Sequence, residues 1–177
     1  MKNNNQVAIL AGGCFWCLEA AYKMFRGVIS VESGYSGGKV KHPTYEAVCG
    51  GETGHAQAVK IEFDPREISY QDILDIFWTI HNPTTLNQQG NDIGTQYRSI
   101  IFYHNDEQKE IAENSIKRAG KLWDDPVVTE LIPEETFYIA EESHQNYFAN
   151  NPSRAYCQMI INPKLSKLRE KYISFLK

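Results

Sequence analysis

The chain has 177 residues, 42% of them hydrophobic and 23% charged, with a net charge of −4; that size and balance predict one globular domain over residues 1–177 and exclude a fibrous or disordered chain. Lys and Arg are scattered rather than clustered, which argues against nucleic acid and anionic membranes as partners. No apolar run approaches the roughly 18 residues needed to span a bilayer, and the start "MKNNNQVAIL" lacks the pattern of a secretory signal, so a cytoplasmic protein is expected.

In chain order, Gln6 to Ala11 ("QVAILA") reads as a short buried strand broken by Gly12-Gly13. Cys17, Leu18, Ala21, Tyr22 and Phe25 then recur at helical spacing up to Gly27, so a helix starts at or near Cys14. "GVISVESGYSGG" alternates as a half-buried strand, with Ile29, Val31, Ser33 and Tyr35 on one face, and ends in a glycine-rich loop through His42-Pro43. "TYEAVCGG" fits one or two helical turns, and "HAQAVKIEFDP" a strand with Val59, Ile61 and Phe63 on one face, ended by Pro65.

Ser69 to His81 is a capped amphipathic helix with Ser69 at the N-cap and Ile73, Ile76, Phe77 and Ile80 as its stripe. "NPTTLNQQGNDIGTQ" is about as long as structureless loops become, and such loops are commonly functional. "YRSIIFYH" is a strand, "NDEQKEIAENSIKRAGKLW" an exposed helix, and Val127 to Leu131 a further strand. A helix through "EESHQNYFANN" and a terminal helix from Lys164 complete the chain. This order predicts an α+β fold: a two-layer sandwich of helices on a mixed sheet with a ferredoxin-like, split βαβ core and a C-terminal extension.

Four cysteines are too few for a disulfide scaffold in a chain of this length. Cys14, after a strand and two glycines, sits where free helical N–H groups and the helix dipole favour a thiolate, so a lowered thiol pKa is expected there. Cys17 completes a C-x-x-C one turn on and is either a redox partner or a small packing residue. Cys49 and Cys157 have no second-pair spacing for zinc. Cys49 reads as buried, whereas Cys157, near a Pro/Asn turn, has the better prospect of mobility and reactivity.

The blocks "GGCFWC", "GYSGG", "PTYEAVCGG", "TGHAQAVKIEFDP", "HNPTTLNQQGNDIGTQYRSIIF" and "HQNYF", in this order over about residues 7 to 160, resemble the peptide methionine sulfoxide reductase A family. The resemblance implies reduction of the S epimer of methionine sulfoxide, free or in peptides and proteins, with thioredoxin as electron donor and no metal, flavin or nucleotide cofactor. It places the nucleophile on Cys14, the sulfoxide-methyl pocket on Phe15 and Trp16, and the oxygen binders on Tyr45 and Tyr97 with Asp92 beside them. A monomer is expected, and His144 is a weaker candidate for the outer part of the site. The chemistry is consistent: thiolate attack on a polarised S–O group needs donors for the oxygen, and leaves a sulfenic acid that a second thiol condenses to a disulfide.

One position departs from the family pattern. The residue after "TGHA" is a glutamate acid in the family and is Gln57 here. An amide donates a hydrogen bond but supplies no proton at neutral pH, so the proton is expected from Tyr45, Tyr97 or water, and a slow but real reductase results. Glu52, five residues upstream in a glycine-flanked turn, is a conceivable substitute acid but is expected to face water. The family resolves its sulfenic acid with a C-terminal cysteine, which falls on Cys157; Cys17 is the alternative. Two rival functions stay open: a thioredoxin-like disulfide oxidoreductase built on Cys14 and Cys17, and a sulfoxide-binding protein weakened at Gln57.

Overall fold

The computed structural model describes residues 3–177. Its sheet core follows the chain as β1 (Gln6–Ala11), α1 (Phe15–Tyr22), β2 (Val28–Ser36), α2 (Tyr45–Cys49), β3 (Ala56–Phe63), α3 (Tyr70–Ile80) and, after a small hairpin of β4 (Gln88–Gln89) and β5 (Asp92–Ile93), β6 (Ile100–Tyr103). α4 (Asp106–Ala119), β7 (Glu130–Pro133), β8 (Tyr138–Ile139), α5 (Tyr147–Asn150) and α6 (Asn162–Lys171) follow. The six-stranded sheet has the order β7-β6-β1-β3-β2-β8. Its inner order β6-β1-β3-β2 is antiparallel throughout, with Leu10 opposite Val59 on one side and Ile101 on the other. β3 thus separates β1 from β2, which is the split βαβ arrangement expected. The parallel pairing of β7 with β6 makes the sheet mixed.

The sheet buries apolar residues on both faces. Val59, Ile61 and Phe63 join the main core with Leu18, Tyr22, Phe25, Ile73 and Phe77 from α1, its C-terminal turn and α3. Ala56 and Ala58, of opposite parity, join Ile9, Ala11, Ile100 and Phe102 on the other face. A fully buried Leu, Ile or Phe contributes about 1.5–3 kcal/mol, so the main core dominates stability. α3 starts in a capping box, with Ser69 Oγ accepting from Asp72 N and Asp72 Oδ2 accepting from Ser69 N, each at 3.0 Å. Its expected stripe is buried throughout.

Several expectations need correction. The segment 82–97 is not structureless: it carries the β4–β5 hairpin and a 3-10 turn at Thr95–Tyr97, because Gln89 turns its amide inward to the Asn82 backbone. Ile29 is 52% exposed whereas Val31 is 5%, since a bulge between Val28 and Ser30 shifts the alternation of β2. The strand expected over Val127 to Leu131 lies at Glu130–Pro133. In place of one helix through "EESHQNYFANN", a 3-10 turn at Glu142–His144 and α5 are separated by Asn146 in the left-handed region (φ 53°). Finally, a π-helical turn at Cys157–Ile161 precedes α6.

Candidate active site

The β1–α1 turn depends on its two glycines. A Cβ on Gly12 would lie 2.9 Å from Phe77 Cε1, and Gly13 has φ +87° with the space for a Cβ occupied by Gln89 Cγ at 2.7 Å. Gly13 N donates to Tyr97 O at 3.1 Å, tying the turn to the loop before β6. Cys14 follows as the N-cap of α1 in extended backbone, and its side chain is 6% exposed. The first free N–H of the helix, that of Phe15, donates to Gln57 Oε1 at 3.2 Å.

Gln57 is fully buried on the helix-facing side of β3, opposite Tyr35 of β2. With Oε1 occupied by Phe15, its Nε2 is a buried donor with no partner. A buried donor left without an acceptor costs about 1–3 kcal/mol, so its presence calls for a ligand acceptor or another explanation. Glu52, by contrast, is exposed as expected.

Aromatic rings enclose the outer side of Cys14. Phe15 lies 6.2 Å from Tyr45 and 5.7 Å from Tyr35, centroid to centroid. Trp16 stacks on Tyr147 at 3.6 Å, and His144 on Tyr45 at 4.1 Å. Trp16 Nε1 donates to His144 Nδ1 at 3.1 Å. Burial pushes the His144 pKa down, against the pull of Glu141 and Glu46, which leaves Nδ1 free to accept. Phe15, Trp16, Tyr45 and His144 thus form an apolar cage with a fixed orientation of the indole.

Two tyrosine hydroxyls face the same place. Burial, then the facing Cys49, pushes the Tyr45 hydroxyl above its ordinary value; burial, then Asp92, does the same for Tyr97. Both also feel the charge of Cys14 and remain neutral donors at neutral pH. Cys49, expected simply to be buried, is half-buried and paired with Tyr45 because α2 ends at the rim of the site. Asp92 Oδ2 accepts from Tyr156 at 2.7 Å, so the carboxylate is held between Tyr97 and Tyr156.

The thiols differ from expectation. The Cys14 thiol is pushed up, not down: burial is the largest cause, and Cys17 adds to it through a shared hydrogen bond and its charge. The free N–H groups at the helix start are overridden because one of them is given to Gln57 and the site is nearly dry. The Cys17 thiol is brought to about 7 by that same hydrogen bond from Cys14 against burial, with Lys164 and Tyr156 assisting. The pair therefore releases one proton near neutrality and resists losing the second. Cys157 is fully buried in the π-helical turn rather than in a loose tail, and burial, then Cys17, pushes its thiol up.

The structure thus gathers Cys14, Phe15, Trp16, Tyr45, Gln57, Asp92, Tyr97 and Cys17 around one place, with Cys157 behind Cys17. Two contributors escaped the sequence. Glu141 accepts from Tyr35 Oη at 2.9 Å and from Tyr45 N at 3.0 Å, fastening α2 to the sheet. Burial pushes its carboxyl up, but bonds from its own N–H, Tyr45 N–H and Tyr35 outweigh that and hold it below its ordinary value. Tyr156 touches both Asp92 and Cys17. The only sequence signal for either is proximity to "HQNYF" and "YC". Among the described residues, no cluster of three or more His, Cys, Asp or Glu could hold a metal ion, and no helix is long and apolar enough to cross a membrane.

Comparison with known proteins places this geometry in context. A family model described as peptide methionine sulfoxide reductase matches residues 6–175. Peptide methionine sulfoxide reductase MsrA of Leptospira borgpetersenii is 58% identical over 160 residues, covering 90% of this chain and 91% of that protein. Among solved structures, reduced Mxr1 from Saccharomyces cerevisiae superposes with a TM-score of 0.82 at 34% identity, covering 86% of this chain and 89% of that one. Mxr1 in complex with Trx2 has the same fold, with a TM-score of 0.60 at 24% identity over 83% of this chain and 89% of that one.

Proposed function

The chain belongs to the peptide methionine sulfoxide reductase family and is an oxidoreductase acting on methionine sulfoxide; from that premise we propose that it reduces the S epimer, free or in peptides and proteins, with Cys14 as nucleophile and Gln57 as an oxygen-binding donor in place of an acid. The observation that carries this reading is the unpartnered Nε2 of Gln57, whose amide is pinned by the N–H next to Cys14.

The S-methyl group occupies the cage of Phe15 and Trp16, backed by Tyr45 and His144. The sulfoxide oxygen takes hydrogen bonds from Gln57 Nε2, Tyr45 Oη and Tyr97 Oη. Fixing methyl, oxygen and the direction of attack leaves only one hand of the sulfur stereocentre able to react. Cys14 Sγ attacks the sulfur, and negative charge grows on the oxygen, where preorganised donors in a water-poor site are most effective. The oxygen is protonated by Tyr45, Tyr97 or a water, and methionine departs as Cys14 becomes a sulfenic acid. Because both tyrosines are held above their ordinary pKa, they are strong donors in place but weak acids. Loss of general-acid help slows this step by about 10²–10⁴-fold relative to a carboxylic acid at the same position.

A second thiol of the chain then condenses with the sulfenic acid, releasing water, and a thioredoxin dithiol reduces the disulfide. The yeast relative solved with Trx2 supports a protein dithiol as donor. The protein acts as a single monomeric unit in the cytoplasm without a metal or organic cofactor. Single-turnover assays with each sulfoxide epimer, with thiols counted before and after, test the reading. One methionine formed and two thiols lost per chain, from the S epimer only, is expected. Tight binding without methionine, or insulin-disulfide reduction without sulfoxide turnover, contradicts it.

A further inference from the structure

We propose that the cavity beside Asp92 and Tyr156 is a subsite for peptide and protein substrates, taking an apolar residue next to methionine sulfoxide and, through Lys164, an acidic side chain beyond it. This rests on the reading of the adjoining aromatic cage as the sulfoxide site, and it names the peptide chemistry that site selects.

The cavity has a volume of about 610 Å3 and largely apolar walls, within the range of roughly 300–1,000 Å3 found for sites that bury small ligands. One wall is the β4–β5 hairpin with Asp92; the other is the π-helical turn and the start of α6, with Tyr156, Met159, Ile160 and Lys164. The π-helical turn sets the character of the second wall. Cys157 and Ile161 are both fully buried in the core, which leaves Met159 between them turned outward and 73% exposed. Apolar side chains gathered around a concave surface mark a place where a partner covers them.

Tyr156 joins the cavity to the place of reaction. Its ring meets Trp16 of the cage edge-on, with centroids 5.7 Å apart, and its hydroxyl donates to Asp92 Oδ2 at 2.7 Å. Tyr156 and Asp92 line the cavity and Trp16 does not, so the Tyr156 ring is the partition between cage and cavity. An extended peptide advances about 3.3–3.6 Å per residue. A chain with methionine sulfoxide in the cage therefore carries its first or second neighbour past Tyr156 into the cavity. The substrate departs before a donor protein needs the same face. Charge then selects among peptides. Lys164 is half-buried on the cavity wall and takes no part in the ion pairs found among the described residues. Asp92, the other charged residue of the lining, already has one carboxylate oxygen held by Tyr156. A half-buried ammonium without a counter-ion favours an anionic group that shares its partial shelter from water.

Three pentapeptides test the subsite, each blocked at both ends so that no terminal carboxylate is present. They carry methionine S-sulfoxide between Glu-Leu and Leu-Glu, between Lys-Leu and Leu-Lys, or between Glu-Ser and Ser-Glu, and kcat/KM is measured with excess small dithiol as reductant. The Glu-Leu peptide is expected to exceed the Lys-Leu peptide by about five- to tenfold at low salt, the ratio shrinking at high salt, and the Glu-Ser peptide by about tenfold. Lys164→Glu inverts the charge preference, Lys164→Arg keeps it, and Met159→Ser narrows the leucine-to-serine ratio. Ratios taken within one variant cancel any effect of Lys164 on the thiols. Equal kcat/KM for the three peptides in the unsubstituted chain, or a charge ratio that Lys164→Glu leaves unmoved, overturns the proposal. A rise in KM for thioredoxin in Lys164→Glu with an unmoved peptide ratio gives the cavity to the donor and overturns it equally. Failure to reduce N-acetyl-methionine S-sulfoxide, which is too short to reach the cavity, would instead overturn the reading on which it rests.

Discussion

The two walls beside Cys14 are built differently. On the sheet side Phe15, Tyr35 and Gln57 are all fully buried, and Gln57 and Tyr35 are each fixed by a hydrogen bond, to Phe15 N and to Glu141. On the other side Asp92 and Tyr156 are half-buried, beside a cavity whose lining residue Met159 is 73% exposed. The dry wall suits a step that needs oxygen and methyl group held within fractions of an ångström. The wetter wall suits thiol exchange with a second protein, which needs access and some movement.

Substitutions can break this contrast, beginning with the largest effect. Cys14→Ser removes the thiol proposed as nucleophile, which both walls border, and methionine formation is expected to fall to background in a single-turnover assay. Gln57→Leu strips the dry wall of a donor and orphans the Phe15 N–H; the single-turnover rate falls by about 10²–10³-fold, and thermal unfolding shows a loss of about 1–3 kcal/mol. Tyr97→Phe removes one of the remaining donors and lowers the same rate by about tenfold while leaving disulfide reduction by thioredoxin unaltered. Tyr147→Leu removes the ring stacked on Trp16, an interaction worth about 0.5–1.5 kcal/mol, and raises KM roughly three- to tenfold with little change in kcat. The pH dependence of the thiol pair sharpens the wet side: with Cys17 near 7, its thiolate is present above that pH and lost below it. Alkylation of the pair should therefore level off above about pH 7 and fall about tenfold per unit below it.

Much of the dry wall was legible in the sequence. "QVAILAGGC" locates the strand, the glycine turn and the helix start, and the parity of Gln57 with Val59 and Ile61 places it on the buried face. These are local signals, and packing reinforces them. The long-range fastenings of both walls were not legible: on the dry side Glu141 reaches Tyr45 across 96 residues, on the wet side Tyr156 reaches Asp92 across 64, and no local period encodes such contacts. The Cys14 thiol failed expectation for a related reason: a helix start favours a thiolate only where water or charge supports it, and burial by residues far along the chain removes that support. The register shift at Val28/Ser30 and the left-handed Asn146 likewise depend on tertiary contacts, the latter on Glu19, which accepts from Asn146 N at 2.8 Å.

The central claim is that Gln57 binds the sulfoxide oxygen without protonating it, and single-turnover methionine formation in Gln57→Glu tests it most directly. A carboxyl at this buried position keeps its proton near neutrality, since burial disfavours the charged form, and can deliver it to the oxygen. The account predicts a rate increase of about 10²-fold or more, with a new loss of rate at alkaline pH as the carboxyl ionises. An unchanged rate and an unchanged pH profile would contradict it.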